Sequence, residues 1–451
     1  MTKSYDLIVI GSGTAAQVAS HRAASAGWKV AVTDYRPFGG TCALRGCDPK
    51  KMLITGAQVI DDIWRMTGRG VVASDARIAW RDLMAFKRTF TRPVPAKQEQ
   101  RYNDKGIDTY HAAARFVEPN ALEIDGAGRV ESKHIVIASG ARPVPLGFPG
   151  AEHLITNEEF LELDELPGRI VLVGGGYIAA EFSHIAAHAG AKVTVLQRNN
   201  RMLTQFDPDL VGWLMESFRR ANIDVRTGNV VESVQKRQST FLVRARSKTA
   251  EQTFEADLVV HAAGRVPDLD GLDLDAGNIE RDDRGHLKLN EFLQSVSNPA
   301  VYAAGDAAAK GPPLTPVSSH DAKVVVGNLL EGNRHRPDYR GVPSVAFTIP
   351  PIAAVGLSEE KARANGVKFR MKSENVSDWF TARRAAEKVY GYKVMVEEAT
   401  GHVLGAHLVG PHVDEVINLF GLAIRHGLTS DNLKSTMFAY PTGASDVGYM
   451  L

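Results

Sequence analysis

The chain has 451 residues, 44% of them hydrophobic and 23% charged, with a formal net charge of +1. That length accommodates two to four domains with their own cores, and the composition is ordinary for a soluble globular protein. The near-zero charge leaves no basic footprint for nucleic acid, and no apolar run approaches the roughly 18 residues of a membrane span.

The first predicted element follows almost at once. "YDLIVIGSGTAAQVASHRAASAGWKVAVTD" (5–34) is a β-branched run, a glycine-rich turn, an Ala-rich helix, a glycine and a second β-branched run. This is a βαβ dinucleotide-binding pattern. Gly11 allows the tight turn, Gly13 clears the approach of a pyrophosphate, and Ala16 keeps helix and strand close. Asp34 ends the second strand. No charged segment followed by a long apolar stretch precedes the first strand, so no signal peptide is read and a reducing cytoplasm is expected.

"GGTCALRGCDPKK" (39–51) follows, and it holds both cysteines of the chain, Cys42 and Cys47. A structural disulfide closing so short a loop adds little stability. Zinc wants four ligands, and no other cysteine exists to build a thiolate-rich site, so no metal site is read. A close pair in a reducing compartment points to chemistry.

"GRIVLVGGGYIAAEFSHIAAHAGAKVTVLQR" (168–198) repeats the βαβ grammar, with Gly174, Gly176 and Ala179 in the roles of Gly11, Gly13 and Ala16. Two copies of GxGxxA in full context make a strong signal. "LVVHAAGRVPD" (258–268) and "NPAVYAAGDAA" (298–308) are then apolar strands ending in small-residue turns. The second ends on Asp306, an acid placed to hydrogen-bond a sugar-like chain. From about Pro343 the pattern changes to longer strands, with a hairpin in 390–410 and a helix over 413–427. This final third reads as an α+β domain with no nucleotide fingerprint.

In this order the motifs resemble the flavoprotein disulfide reductases, the family of glutathione reductase, dihydrolipoamide dehydrogenase and mercuric reductase. The resemblance covers essentially the whole chain: "GGTCALRGCDPKK" resembles the redox-active disulfide signature, "YAAGD" the second FAD motif, and "FTIPPIAAVGLSE" with "GAHLVG" the dimerisation domain. It implies an α/β fold with two Rossmann-like domains and a C-terminal α+β interface domain. The boundaries are 1–148 for the first FAD-binding part, 149–264 for NAD(P)H, 265–335 for the returning FAD part and 336–451 for the interface. It also implies a homodimer whose C-terminal residues complete the partner's active site.

By resemblance Cys42 is the interchange thiol facing substrate and Cys47 the charge-transfer thiol against the flavin. In an ideal helix, Cα atoms five apart are about 8–9 Å distant, whereas a disulfide wants less than roughly 7 Å. The segment is therefore expected to be distorted, with Gly46 supplying the freedom. Lys50 and Glu181 match an ion pair beside the flavin's reactive nitrogen, with Lys51 as competitor for the lysine. Tyr177 matches the aromatic gate that nicotinamide displaces. Asp34 is expected to accept from the adenosine ribose of FAD. Thr14, Ala15, Gly40, Thr41, Lys51, Gly140, Gly305, Asp306 and Thr315 belong with the FAD site on the same basis, and Ile178 and Gly264 with the NAD(P)H site. Gln197 and Arg198 stand where an NADH enzyme would place a carboxylate, which favours NADPH through the 2′-phosphate. Thr204 replaces a usual second arginine, for which Arg201 is the substitute.

The C-terminal signature departs from the family. The His–Glu dyad of HPTxxE becomes "AYPTGASD": Tyr440 replaces the histidine, Ser445 the glutamate, and Asp446 sits one place late. A phenol can donate a proton but is seldom a base at neutral pH. His21 and Lys323 stand where glutathione reductases hold glutathione with arginines, and the C-terminal cysteine pair of mercuric reductases is absent. The expected activity is NADPH oxidation through FAD and the Cys42–Cys47 disulfide to a small-molecule acceptor, a small disulfide first. A metal ion or quinone is the alternative acceptor, and a redox-sensing protein with little turnover is the alternative class.

Overall fold

In the computed structural model, which describes residues 3–451, the opening apolar run forms the strand Lys3–Ile10. It pairs in parallel with Val30–Thr33 on one side and Gly128–Ile137 on the other. Successive residues feed opposite faces, as strand geometry requires. Ile8 and Ile10 enter one apolar cluster, Leu7 and Val9 another. A run apolar on both faces suits a parallel sheet covered on both sides. The full strand order is 108–110, 30–33, 3–10, 128–137, 121–124, 114–118, with Val301–Ala303 joining the C-terminal half of Gly128–Ile137. That returning strand matters for the site. It delivers the Ala304–Asp306 turn beside the end of Gly128–Ile137, where the Ala304 N–H donates to the Ile137 carbonyl at 3.1 Å.

These elements belong to one of two compact units, made of the chain up to Lys50, Phe86–Val144 and Arg265–Tyr339. Its two principal helices, Thr14–Ser25 and Thr315–Glu331, pack together. Ala16, Ala19 and Ala23 are fully buried on the first of them, which explains why its sequence is so rich in alanine.

The other unit comprises Lys51–Ala85, Pro145–Gly264 and Arg340–Leu451. The second βαβ segment folds as read: Arg169–Val173, the helix Tyr177–His188, and Lys192–Gln197. Its sheet is all parallel, in the order 224–227, 192–197, 169–173, 258–261. A separate five-stranded antiparallel sheet contains the expected hairpin, Gly391–Glu397 with Val403–Val409. The helix Val413–His426 covers that sheet and ends at Gly427 with φ of +65°, the left-handed cap that glycine takes without strain.

Sequence periodicity carries no hint of the ion clusters buried in this unit. Lys393 is 2% exposed, with its ammonium 2.8 Å from Asp207, 2.7 Å from Asp209 and 3.2 Å from Glu359. Asp61 and Glu387 share Arg65 and Arg220 in a second cluster. Removing one member of such a cluster strands a buried charge, which is far costlier than losing a surface pair.

Candidate active site

The turn after the first strand opens onto a cavity of about 340 Å³ in the first unit. Gly11, Gly13, Thr14, Ala15, Asp34, Gly40 and Thr41 line it, together with Gly140, Gly305, Asp306 and Thr315. Sequence reasoning named all of these. Ala16 lies beneath them, fully buried in the helix. Close backbone approach explains the glycines. At Gly11, φ is +110° and a Cβ would stand 2.3 Å from the Ala138 carbonyl oxygen. At Gly40, φ is +74° and a Cβ would stand 2.3 Å from the Cα of Gly13. Gly40→Ala is therefore expected to push two cavity walls apart. Flavin released on dilution, read by fluorescence, should rise severalfold, and unchanged retention would refute this account of the turn.

Asp34 is fixed from both sides: its Oδ2 accepts from the Ser12 hydroxyl at 2.6 Å and its Oδ1 from the Arg36 N–H at 2.9 Å. Ser12 was not foreseen, although it sits inside the glycine turn. Nor was Ser139, whose buried hydroxyl lines the cavity and has no hydrogen-bond partner among the described residues. An orphaned buried hydroxyl is uncommon and calls for a ligand. Burial pushes the Asp306 carboxyl up, with nearby Arg265 acting the other way. Room left by glycines, an unsatisfied hydroxyl and acids at two strand ends are what a dinucleotide with ribose and polyol hydroxyls requires. The residues present fit FAD.

The two cysteines lie at one end of this cavity. The helix Gly40–Arg45 ends at Gly46, and the next helix, Cys47–Met66, starts immediately. The expected distortion is thus a break between helices, and a Cβ on Gly46 would lie 3.1 Å from the Thr41 carbonyl oxygen. Both cysteines are thiols here, Cys42 half-buried and Cys47 exposed. Thr315 donates its hydroxyl to Cys42 Sγ at 3.0 Å, and the same oxygen is 3.7 Å from Cys47 Sγ. The hydrogen bond shared with Cys47 pushes the Cys42 thiol well above the usual range, as does burial, while Thr315 opposes both.

The Lys51 ammonium lies 3.5 Å from Asp414 and 3.7 Å from the centroid of the Phe347 ring.

In the second unit the nucleotide turn repeats the first. Gly174 has φ of +123°, and a Cβ there would stand 2.1 Å from the Ala262 carbonyl oxygen. Gly176 and Gly264 face open space. Ile178 is half-buried and Ala179 fully buried on the helix that follows. Tyr177 packs edge-on against Phe206, and burial raises its hydroxyl. Glu181 is 3% exposed and accepts the Phe347 N–H at 2.9 Å. At the end of the second strand Gln197 turns inward and donates to the Arg201 carbonyl, while Arg198 is exposed. Arg201 lies three residues further on. Its guanidinium donates to the Phe206 and Thr204 carbonyls at 2.7 and 2.9 Å, so it ties down its own loop.

At the C-terminus Tyr440 is 80% exposed. The Asp446 carboxylate accepts from the buried Tyr390 hydroxyl at 2.8 Å. Ser445 donates to the Thr442 carbonyl in a tight cap. On the helix Thr315–Glu331, His320 accepts the Asp338 N–H at Nε2 at 2.9 Å.

Residues 5–322 match the family described as pyridine nucleotide-disulphide oxidoreductase, and residues 342–450 match its dimerisation domain. Glutathione reductase of Burkholderia cepacia is 31% identical, the match covering 98% of this chain and 97% of that one. Mercuric reductase of Staphylococcus aureus is 31% identical over 98% of this chain and 80% of its own. Among solved structures, the HOCl-induced flavoprotein disulfide reductase RclA of Escherichia coli superposes with a TM-score of 0.87, at 26% identity and 99% coverage of both chains. A Cu(II) complex of the same protein gives 0.88 at 27% identity, covering 100% of this chain and 99% of that one. Among the described residues, no helix is long and apolar enough to cross a membrane.

Proposed function

Because the chain belongs to the pyridine nucleotide-disulphide oxidoreductase family, whose members are FAD-dependent enzymes drawing electrons from a pyridine nucleotide, we propose that it is a homodimeric, cytoplasmic, NADPH-dependent reductase of a small disulfide. The observation that carries this reading is the Thr315 hydroxyl touching both cysteine sulfurs at the end of the cavity that fits FAD. Gly11, Gly13, Asp34 and Asp306 would hold FAD, which would supply two-electron transfer between the nucleotide and the Cys42–Cys47 pair.

The chain's own residues then perform the exchange. The Cys42 thiolate attacks one sulfur of the acceptor, forming a mixed disulfide and releasing the first product thiolate. Cys47 attacks Cys42 in turn, restoring the internal disulfide and releasing the second. Two electrons pass from the dithiol to the acceptor, and each departing thiolate takes up one proton. Thr315 supports the attacking sulfur by donating to it, since a hydrogen bond to the charged form lowers a thiol's pKa.

One observation favours a second reading, reduction of a metal ion: the chain is similar to a structure solved as a Cu(II) complex. Anaerobic NADPH oxidation separates the two, with glutathione disulfide, Cu(II), Hg(II) and a naphthoquinone offered as acceptors. Fast turnover with a disulfide supports the first reading. Turnover with metal ions alone supports the second. No acceptor-dependent turnover at all would make the protein a redox sensor.

Nucleotide choice is tested separately. Arg198, exposed at the strand end, is assigned to the 2′-phosphate. A charge-assisted contact of about 1.5 kcal/mol or more corresponds to roughly tenfold in affinity. Arg198→Ala is expected to raise KM for NADPH by about that factor and to leave NADH unaffected. Equal wild-type kcat/KM for the two nucleotides would defeat the assignment.

A further inference from the structure

Asp321 is fully buried on the helix Thr315–Glu331, and nothing above gives it a role. Its two oxygens serve two different segments. Oδ2 accepts the Gly305 N–H at 3.1 Å, and Oδ1 accepts the Tyr339 hydroxyl at 2.8 Å. Gly305 and Asp306 line the cavity, so the carboxylate ties a cavity wall to the helix. Two glycines keep the arrangement tight. A Cβ on Gly311 would meet the Tyr339 ring at 2.7 Å, and one on Gly305, at φ of +68°, would meet the Ser318 hydroxyl at 2.9 Å.

A buried carboxylate is an expensive way to hold one amide and one hydroxyl. A neutral acceptor would do so at lower cost, but an anionic one binds an N–H about twice as strongly. We propose that Asp321 is a positioning residue for FAD, its ionised carboxylate holding the Gly305–Asp306 turn so that Asp306 faces the cofactor's hydroxyls.

The titratable groups facing Asp321 are few. Tyr339 donates to it from the segment after the helix, and Asp306 opposes its ionisation from the turn. His320, next on the same helix, is engaged by Asp338. Burial dominates and pushes the Asp321 carboxyl up to about 6. The sign follows. Above that pH the carboxylate is ionised and grips the turn. As pH falls through it, the new O–H deprives one buried donor of its anionic acceptor, and the grip weakens.

The test uses the FAD-loaded enzyme, equilibrated in steps from pH 8 to pH 5, with released flavin measured by fluorescence after filtration. Wild-type FAD affinity should fall about fivefold to tenfold across pH 6, the difference between a charge-assisted and a neutral hydrogen bond. Asp321→Asn keeps the shape and removes the charge. It should hold FAD at pH 8 only as well as wild type does at pH 5, with a flat profile between. Tyr339→Phe removes a donor that favours the ionised form, so its release midpoint should move to higher pH. A wild-type pH profile in Asp321→Asn would assign the titration to Asp306 and overturn the proposal. Should that variant fail to fold, an unmoved midpoint in Tyr339→Phe overturns it equally.

Discussion

Cys47→Ser is expected to bind FAD and NADPH normally yet lose acceptor-dependent turnover by at least about 10³-fold, since deleting one member of a covalent catalytic unit can cost on the order of 10⁶. Cys42→Ser should lose as much, but the two variants should differ in what they trap. Without Cys47, the Cys42 sulfur attacks a disulfide and cannot be released, so one half of the acceptor stays attached and is seen by mass spectrometry. Without Cys42, no such adduct should accumulate. Exposure alone would argue for the reverse order, because Cys47 is the exposed sulfur and Cys42 the half-buried one. Both sulfurs line the cavity that fits FAD, however, so exposure does not decide between them, and the order assigned is the one the family resemblance implies. A stable adduct on Cys47 in Cys42→Ser, with none on Cys42 in Cys47→Ser, would reverse the assigned roles.

What could be read beforehand was local. The glycine spacing at 11–16 and 174–179, the apolar runs around it and the hairpin at 390–410 each record their own turn or face, and each folds as read. The helix break at Gly46 is of the same kind. What escaped depends on contacts that only the strand order creates. Thr315 reaches Cys42 from 273 positions away, and Asp321 meets Gly305 because the strand Val301–Ala303 returns to the first sheet. No periodicity carries that information. The two lysines illustrate the limit. Consecutive residues on a helix point about 100° apart, so Lys50 and Lys51 cannot serve one site, yet the sequence alone does not say which faces where. The turn of Lys51 toward Asp414 and Phe347 answers half of that question. Arg201 shows a related limit: the sequence does not say that its guanidinium also donates to two carbonyls of its own loop.

Tyr440→His combined with Ser445→Glu should raise turnover with glutathione disulfide by about 10²-fold, because a positioned acid–base group contributes about 10²–10⁴. The expectation follows from what the C-terminal segment lacks. Splitting a disulfide releases a thiolate, and the family protonates it with an imidazolium oriented by a glutamate across the proposed dimer. Here a phenol occupies the first place. Asp446, the only nearby carboxylate in the motif, is committed to Tyr390 at 2.8 Å. Among the described residues Tyr440 has no hydrogen-bonded carboxylate of the kind that orients the histidine, and flavin and dithiol reduction should outpace the exchange step in the wild type. Ser445 is half-buried and caps a short turn with Thr442, so the new glutamate sacrifices one local hydrogen bond and little more. Tyr440→Phe decides between an idle ring and a proton donor. If the hydroxyl donates to the acceptor, its loss should lower kcat by about 10²-fold or more at unchanged KM for NADPH. An unaltered rate, with no gain from the rebuilt dyad, would mean that the leaving thiolate needs no acid from this segment, and an acceptor whose reduction releases no thiolate, such as a metal ion, would then be the better reading.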